Sequence, residues 1–286
     1  MRELWSGAPG LEGAVSDELF IETEAGVSLR VLTWTPDDES AASSNPVVVV
    51  PGWGSVFEGW RPLITEWVMR RPIVYIETRE KKSAVITKKV GRSDFEMSKH
   101  GTDIRAVLMH LGIDSRDVDW FSSSLGATLL IDSYQSGVLS GRSSVLLAPN
   151  PDFEFPLWAR IVMSLPIPQF IHPSLMRFTV WLVDRKTKEE GQRIRYRRTL
   201  LSQDLNRMLL SARANMRYRL PSDLSSVDIP CAVMTASSDT LHDMDKVLDI
   251  VERIPRAVLI TVPSNQYAHE ADVLVEIEEF HSSIGN

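Results

Sequence analysis

Four consecutive valines, Val47-Val48-Val49-Val50, stand directly before Pro51-Gly52-Trp53-Gly54. A run that is apolar at every position has no face for water, so it fits a strand covered on both sides, as parallel strands are. That feature restricts the chain to folds in which helices pack on both faces of a sheet. Before it, residues 18–22 and 27–35 flank Ala25-Gly26 and read as an antiparallel hairpin. After it, Trp60, Leu63, Ile64, Trp67 and Val68 recur at helical spacing, with Pro62 tolerated in a first turn. Short apolar strands are expected at 73–76, 118–121, 145–147, 231–236 and 258–262. Helices are expected at about 98–111, 126–134, 244–253 and 271–282, with Gly112 placed to end the first. A hairpin followed by alternating strands and helices predicts an α/β fold: a mostly parallel sheet of about eight strands with helices on both faces.

One stretch breaks the alternation. Residues 151–220 are helical in pattern, punctuated by proline and without a convincing strand, and they lie between two sheet strands. The expected organisation is a core of residues 1–150 and 221–286 carrying an inserted helical cap, 151–220. At 286 residues the chain is long enough for a sizeable core. A formal charge of −7 argues against nucleic acid as a partner, because phosphate contacts need surplus Lys and Arg. The lone Cys231 cannot form an internal disulfide, which suits a reducing compartment or simply a fold that needs no staples. No signal-peptide h-region is read at the N-terminus, and the apolar piece 157–183 is broken by Pro166, Pro168 and Pro173 and carries Arg160 and Arg177. The expectation is a cytoplasmic protein with no integral membrane association.

The segment Asp119-Trp120-Phe121-Ser122-Ser123-Ser124-Leu125-Gly126-Ala127 joins a strand directly to a helix. It resembles the nucleophile elbow of the α/β-hydrolase family, G-x-S-x-G, in which a sharp turn lifts a serine off the strand end. Small residues on either side let strand and helix pack closely. Gly126 fills the second small position and selects Ser124 from the three serines, while Ser122 stands at the first. A polar turn capping the following helix is the rival reading, since serine is a favoured N-cap.

A serine hydroxyl needs a base, itself oriented by an acid. The resemblance implies the chain order Ser, acid, His, each beyond a strand end. Asp239 follows the strand ending near Ala236, and His269 lies in the loop before the last helix. Asp239 is the preferred acid, with Asp152 as the alternative. His100 and His110 precede the serine, His172 lies in the cap, and His281 is near the chain end. His242 and Asp243 lack further ligands at metal spacing, so neither metal nor cofactor is expected.

The resemblance also implies an oxyanion hole made by the backbone N–H groups of Leu125 and Trp53. Pro51-Gly52-Trp53 is similar to the family's H-G-x motif, with proline in place of the histidine. Gly52-x-Gly54 followed by Glu77 superficially matches a dinucleotide fingerprint, but its third glycine position holds Phe57. The segment Glu77-Thr78-Arg79-Glu80-Lys81-Lys82-Ser83 departs from the family's usual Asp- and Gly-rich pattern. Phe153, Phe155, Leu157, Trp158, Ile161, Phe170, Phe178, Trp181 and Leu182 are rich enough to line an acyl pocket, although most would serve to attach the cap. The basic stretch containing Arg185, Lys186, Lys188, Arg193, Arg195, Arg197 and Arg198 reads as a solvated helix face, with an anionic substrate group or a membrane surface as alternatives. Taken together these features imply a serine hydrolase acting on a small-molecule ester with an apolar acyl or aromatic part. The alternatives are a thioesterase or C–C bond hydrolase with the same triad, or a non-catalytic binding protein on this scaffold.

Overall fold

The structure, a computed structural model, describes residues 7–155, 157–164, 169–186, 190–237 and 244–284. The opening hairpin is β1 (Ala14–Glu24) and β2 (Val27–Pro36), followed by the short helix α1 (Glu39–Ala42). Next in chain order come β3 (Val47–Val50), α2 (Arg61–Trp67), β4 (Ile73–Ile76), the two-residue β5 (Val85–Ile86), α3 (Met97–Leu111) and β6 (Asp119–Ser123). Then come α4 (Leu125–Gln135) and β7 (Ser143–Leu147). Four helices follow before the sheet resumes: α5 (Leu157–Ser164), α6 (His172–Lys186), α7 (Glu190–Leu201) and α8 (Leu205–Asn215). The chain finishes with β8 (Cys231–Ala236), α9 (Met244–Arg253), β9 (Ala257–Val262) and α10 (Leu274–Ile284).

The sheet order is β1-β2-β4-β3-β6-β7-β8-β9, with β5 paired to β2 off this path. β1, β2 and β4 pair antiparallel, and every pairing from β4 to β9 is parallel. The eight-strand path matches the sequence expectation; the added β5 is too short for periodicity to reveal. Gly112 ends α3 in the left-handed region at φ 68°, which glycine reaches without a Cβ clash.

The valine run has the two-sided burial its composition requires. Side chains alternate across a strand, so Val48 and Val50 join one core with residues of α3, α4 and α9. Val47 and Val49 join the other core with residues of α2 and α10. Trp120 and Phe121 divide between the two faces in the same way. The chain leaves the sheet after β7 and returns before β8 at one place: Asp152 bridges Arg219, and the Leu220 N–H donates to the Pro151 carbonyl at 2.7 Å. Among the described residues no helix is long and apolar enough to cross a membrane.

Candidate active site

β6 lies centrally in the sheet, between β3 and β7, and runs straight into α4 through one residue, Ser124. Its backbone sits at φ 48°, ψ −115°, a conformation that residues with a Cβ rarely hold. Such strain persists only where the surroundings over-determine it. Here they do. The Ser124 N–H donates to the Leu147 carbonyl at the end of β7, at 2.7 Å. Gly126 permits the close approach behind it, since a Cβ there would lie 2.2 Å from the Val50 carbonyl oxygen. Ser122 is wholly buried in the strand, and the Ser123 hydroxyl accepts from the Gly52 N–H at 2.9 Å. Of the three serines, only Ser124 stands on the turn itself.

His269 lies in a short turn after β9, and its Nδ1 is 2.8 Å from the Asn265 carbonyl oxygen. A carbonyl only accepts, so Nδ1 carries the proton and Nε2 is the basic nitrogen of the neutral ring. The imidazole stacks on Trp60, with ring centroids 4.1 Å apart. Trp60 is held in turn by donating its indole N–H to Ser55 Oγ at 2.9 Å.

Ser124 and His269 line one cavity of about 280 Å³, together with Gly52, Trp53 and Trp60. Arg198 and Thr199 of α7 close it from the helical segment. Leu125 opens α4, so its backbone N–H belongs to the first turn, where no intrahelical acceptor exists. Of the residues singled out by sequence, Ser124, His269 and Trp53 therefore converge on one cavity with Leu125 adjacent. Asp239, and with it His242 and Asp243, lies outside the described residues. Asp152, the alternative acid, does not line the cavity. Its carboxylate accepts from Lys246 Nζ at 2.6 Å and lies 3.7 Å from Arg219.

The helical segment contributes differently from the expectation. Among the described residues, none of the aromatic and aliphatic side chains proposed for an acyl pocket lines the cavity. Leu157, Ile161, Phe170, Phe178 and Trp181 are exposed, while Phe153 packs near Tyr218 and Phe155 near Trp53. The side chain of Trp158 lies outside what is described. Among the described residues, Trp53, Val56, Trp60 and Leu147 of the sheet side supply apolar wall.

Three further residues escaped the sequence reading. Asn150 Nδ2 donates to Ser124 Oγ at 3.3 Å, and its backbone is fixed by reciprocal bonds with the Thr128 hydroxyl. Gln203 Nε2 donates to the Gly54 carbonyl at 2.7 Å. The Trp53 indole N–H donates to Ser211 Oγ at 3.1 Å. The last two tie the Pro51–Ser55 loop to the helical segment. Only the loss of the usual histidine at Pro51 hinted that this loop needed other support.

Beneath the loop lies a buried charge cluster. Glu77, Arg79, Glu80 and Lys81 are all at most 2% exposed. Arg79 makes two bonds to Asp103, Lys81 Nζ donates to Glu80 at 2.9 Å, and Arg207 donates to the carbonyls of Lys81 and Ala84.

No protein-family model and no curated protein matches the chain, whereas solved structures do. A hydrolase from Pseudomonas aeruginosa PA01 superposes with a TM-score of 0.73 at 15% identity, over 93% of this chain and 97% of that one. The 2-hydroxy-6-oxo-6-phenylhexa-2,4-dienoate hydrolase from Rhodococcus sp. strain RHA1 gives 0.72 at 14% identity, over 94% and 99%. The enol-lactonase from Burkholderia xenovorans LB400 gives 0.70 at 14% identity, over 92% and 99%.

Proposed function

The chain has the α/β-hydrolase fold, and on that scaffold we propose that it is a serine hydrolase with Ser124 as nucleophile and His269 as general base. The observation that carries the reading is the strained Ser124 backbone at the end of β6, opening onto the same cavity as His269. Strain of this kind aims the hydroxyl away from the strand and into the site.

The mechanism follows from the tautomer. With Nδ1 protonated, Nε2 of His269 takes the Ser124 proton as its oxygen attacks a carbonyl. Asp239 is the proposed acid that stabilises the resulting imidazolium. The backbone N–H groups of Trp53 and Leu125 receive the developing oxyanion. The leaving group takes the proton from His269, an acyl-enzyme remains, and water activated by His269 releases the acid. Asn150, donating to Ser124 Oγ, orients the hydroxyl before attack.

Trp53, Val56, Trp60 and Leu147 favour an apolar acyl or aromatic ester, with Arg198 at one side of the cavity. The similar solved structures include a lactone hydrolase and a dienoate hydrolase, so lactones and C–C bonds next to a carbonyl are the other bond types this reading allows. The helical segment, 151–220, serves as the cap that closes over the cavity. The proposed setting is cytoplasmic, in keeping with the single buried, unpaired Cys231.

Stopped-flow hydrolysis of nitrophenyl esters of graded acyl length tests the proposal. The expected outcome is a burst of nitrophenol stoichiometric with enzyme, lost in Ser124→Ala, and a kcat lowered by ~10⁴-fold or more in His269→Ala. No burst or turnover with any ester, lactone or dienoate counts against it, and a non-catalytic binding protein on this scaffold would behave that way.

A further inference from the structure

The helical segment carries a feature that the cavity does not use. On α6 the exposed residues, among those whose side chains are described, are Ser174, Arg177, Phe178, Trp181 and Arg185. Spacings of three and four place them on one helix face. The turn before α6 adds Phe170, 82% exposed, and Ile171.

This face is internally organised. Phe178 and Trp181 stack with ring centroids 5.7 Å apart, and the Arg185 guanidinium lies 4.3 Å from the Trp181 ring. Among the described residues neither Arg177 nor Arg185 forms an ion pair. The first turns of α5 repeat the composition, with Leu157, Arg160 and Ile161 exposed at the same spacing. Residues 157–201 contain nine Lys and Arg against three Asp and Glu, giving +6 in a chain whose total is −7.

Exposed large apolar side chains with no core to cover them cost free energy in water, and contiguous patches mark interaction sites. Their company decides the partner. A second copy of the chain meeting itself through this face would set arginines against arginines. A polyanion without hydrocarbon would satisfy the arginines and leave Phe170, Ile171 and Phe178 in water. An anionic bilayer surface meets both demands: headgroup phosphates take the guanidinium groups, and the acyl boundary takes the aromatic rings. Tryptophan and arginine are favoured at that depth.

We propose that the outer face of α6, with the turn preceding it, docks the protein peripherally on an anionic lipid surface. The inference stands independently of the hydrolase reading, since no residue of the stripe lines the cavity. Docking there would bring the helical segment, and Arg198 and Thr199 at the cavity, next to the membrane.

Vesicle co-sedimentation and a site-directed fluorophore test it on the full chain. Vesicles of phosphatidylcholine alone are compared with vesicles containing phosphatidylglycerol, at low and high salt. Cys231 is wholly buried, so Phe178→Cys offers an accessible thiol for a polarity-sensitive dye. Arg116→Cys, exposed before the start of β6 and so at the opposite end of that strand from Ser124, is the control. The expected result is binding that rises with phosphatidylglycerol and falls with salt, with a blue shift at position 178 and none at 116. The double variant Arg177→Glu/Arg185→Glu should weaken binding by roughly tenfold or more, with its melting temperature and circular dichroism confirming an intact fold. No binding to anionic vesicles, or binding that the double variant leaves unchanged, overturns the proposal. So does a blue shift at 178 that grows with protein concentration and needs no lipid, which would assign the face to a second copy.

Discussion

At the scale of single residues, the strand-to-helix turn at Ser124 is where local conformation and the proposed function meet. Gly126 has no freedom to change: a methyl group 2.2 Å from the Val50 carbonyl must push α4 off β3. Gly126→Ala should cost about 3 kcal/mol or more, at the upper end of overpacking effects, measured by urea denaturation; wild-type stability in that variant would contradict the packing described. Ser123→Ala should destabilise the loop, because it strips the Gly52 N–H of its buried acceptor at a cost of about 1–3 kcal/mol. It should lower ester turnover by no more than the roughly 10- to 100-fold that a loosened loop costs, far short of the loss in Ser124→Ala. A variant that loses activity without losing stability would shift the nucleophile's identity toward Ser123. The phase of the elbow was readable in the sequence because Gly126 is a local constraint. Asn150 was not, since its approach to Ser124 depends on where β7 lies beside β6 and on the Thr128 hydroxyl that holds it. Trp60 read only as a helix residue for the same reason, with its stacking partner 209 positions away.

At the scale of elements, the Pro51–Ser55 loop and the helical segment work as one unit. Gly54 holds φ 66°, and its carbonyl is fixed by Gln203, which is itself 8% exposed. Trp53 is anchored to α8 through Ser211. Because the proposed oxyanion donor is the Trp53 backbone N–H, loosening either bond should misplace it. Gln203→Glu, whose carboxylate has no N–H to donate to the Gly54 carbonyl, is expected to lower kcat by about 10- to 100-fold while changing KM little; an unchanged kcat would mean that the loop holds its shape unaided. The sheet strands and most helices were legible because a strand buried on both faces leaves a short continuous apolar run, and a helix buried on one face leaves a 3.6-residue signature. The outward direction of the α6 stripe was not. A helix rich in Phe, Trp and Leu looks like one that faces a pocket, and only its packing against α7 shows which side is left for solvent.

At the scale of the whole molecule, acid should weaken the fold in two stages. His100 is buried with neither ring nitrogen hydrogen-bonded, and burial pushes its pKa below 6.5 against the pull of Glu80 and Asp103. Burial pushes Glu80 up, but Lys81, His100 and the donors Lys81 and Thr78 outweigh it and hold the carboxyl at about 2. Both groups bind a proton more readily when unfolded, so their stabilisation is complete above the unfolded values and is lost as pH falls. The melting temperature should decline from pH 6.5 downward, then more steeply from about 4.5 toward 2. His100→Gln should flatten the first stage; a wild-type curve level from pH 7 to 5 would contradict this account of the cluster. The fold class was legible because alternating strands and helices imply a mostly parallel sheet covered on both faces; the strand order, in which β4 lies between β2 and β3, was not. The convergence of Ser124 with His269 was legible only as chain order, which a sheet of this topology turns into proximity. The most direct test of that convergence is peptide mapping by mass spectrometry after treatment with a fluorophosphonate. The account predicts one adduct, on Ser124, that fails to form in His269→Gln; an unmodified protein, or an adduct on another serine, would contradict it.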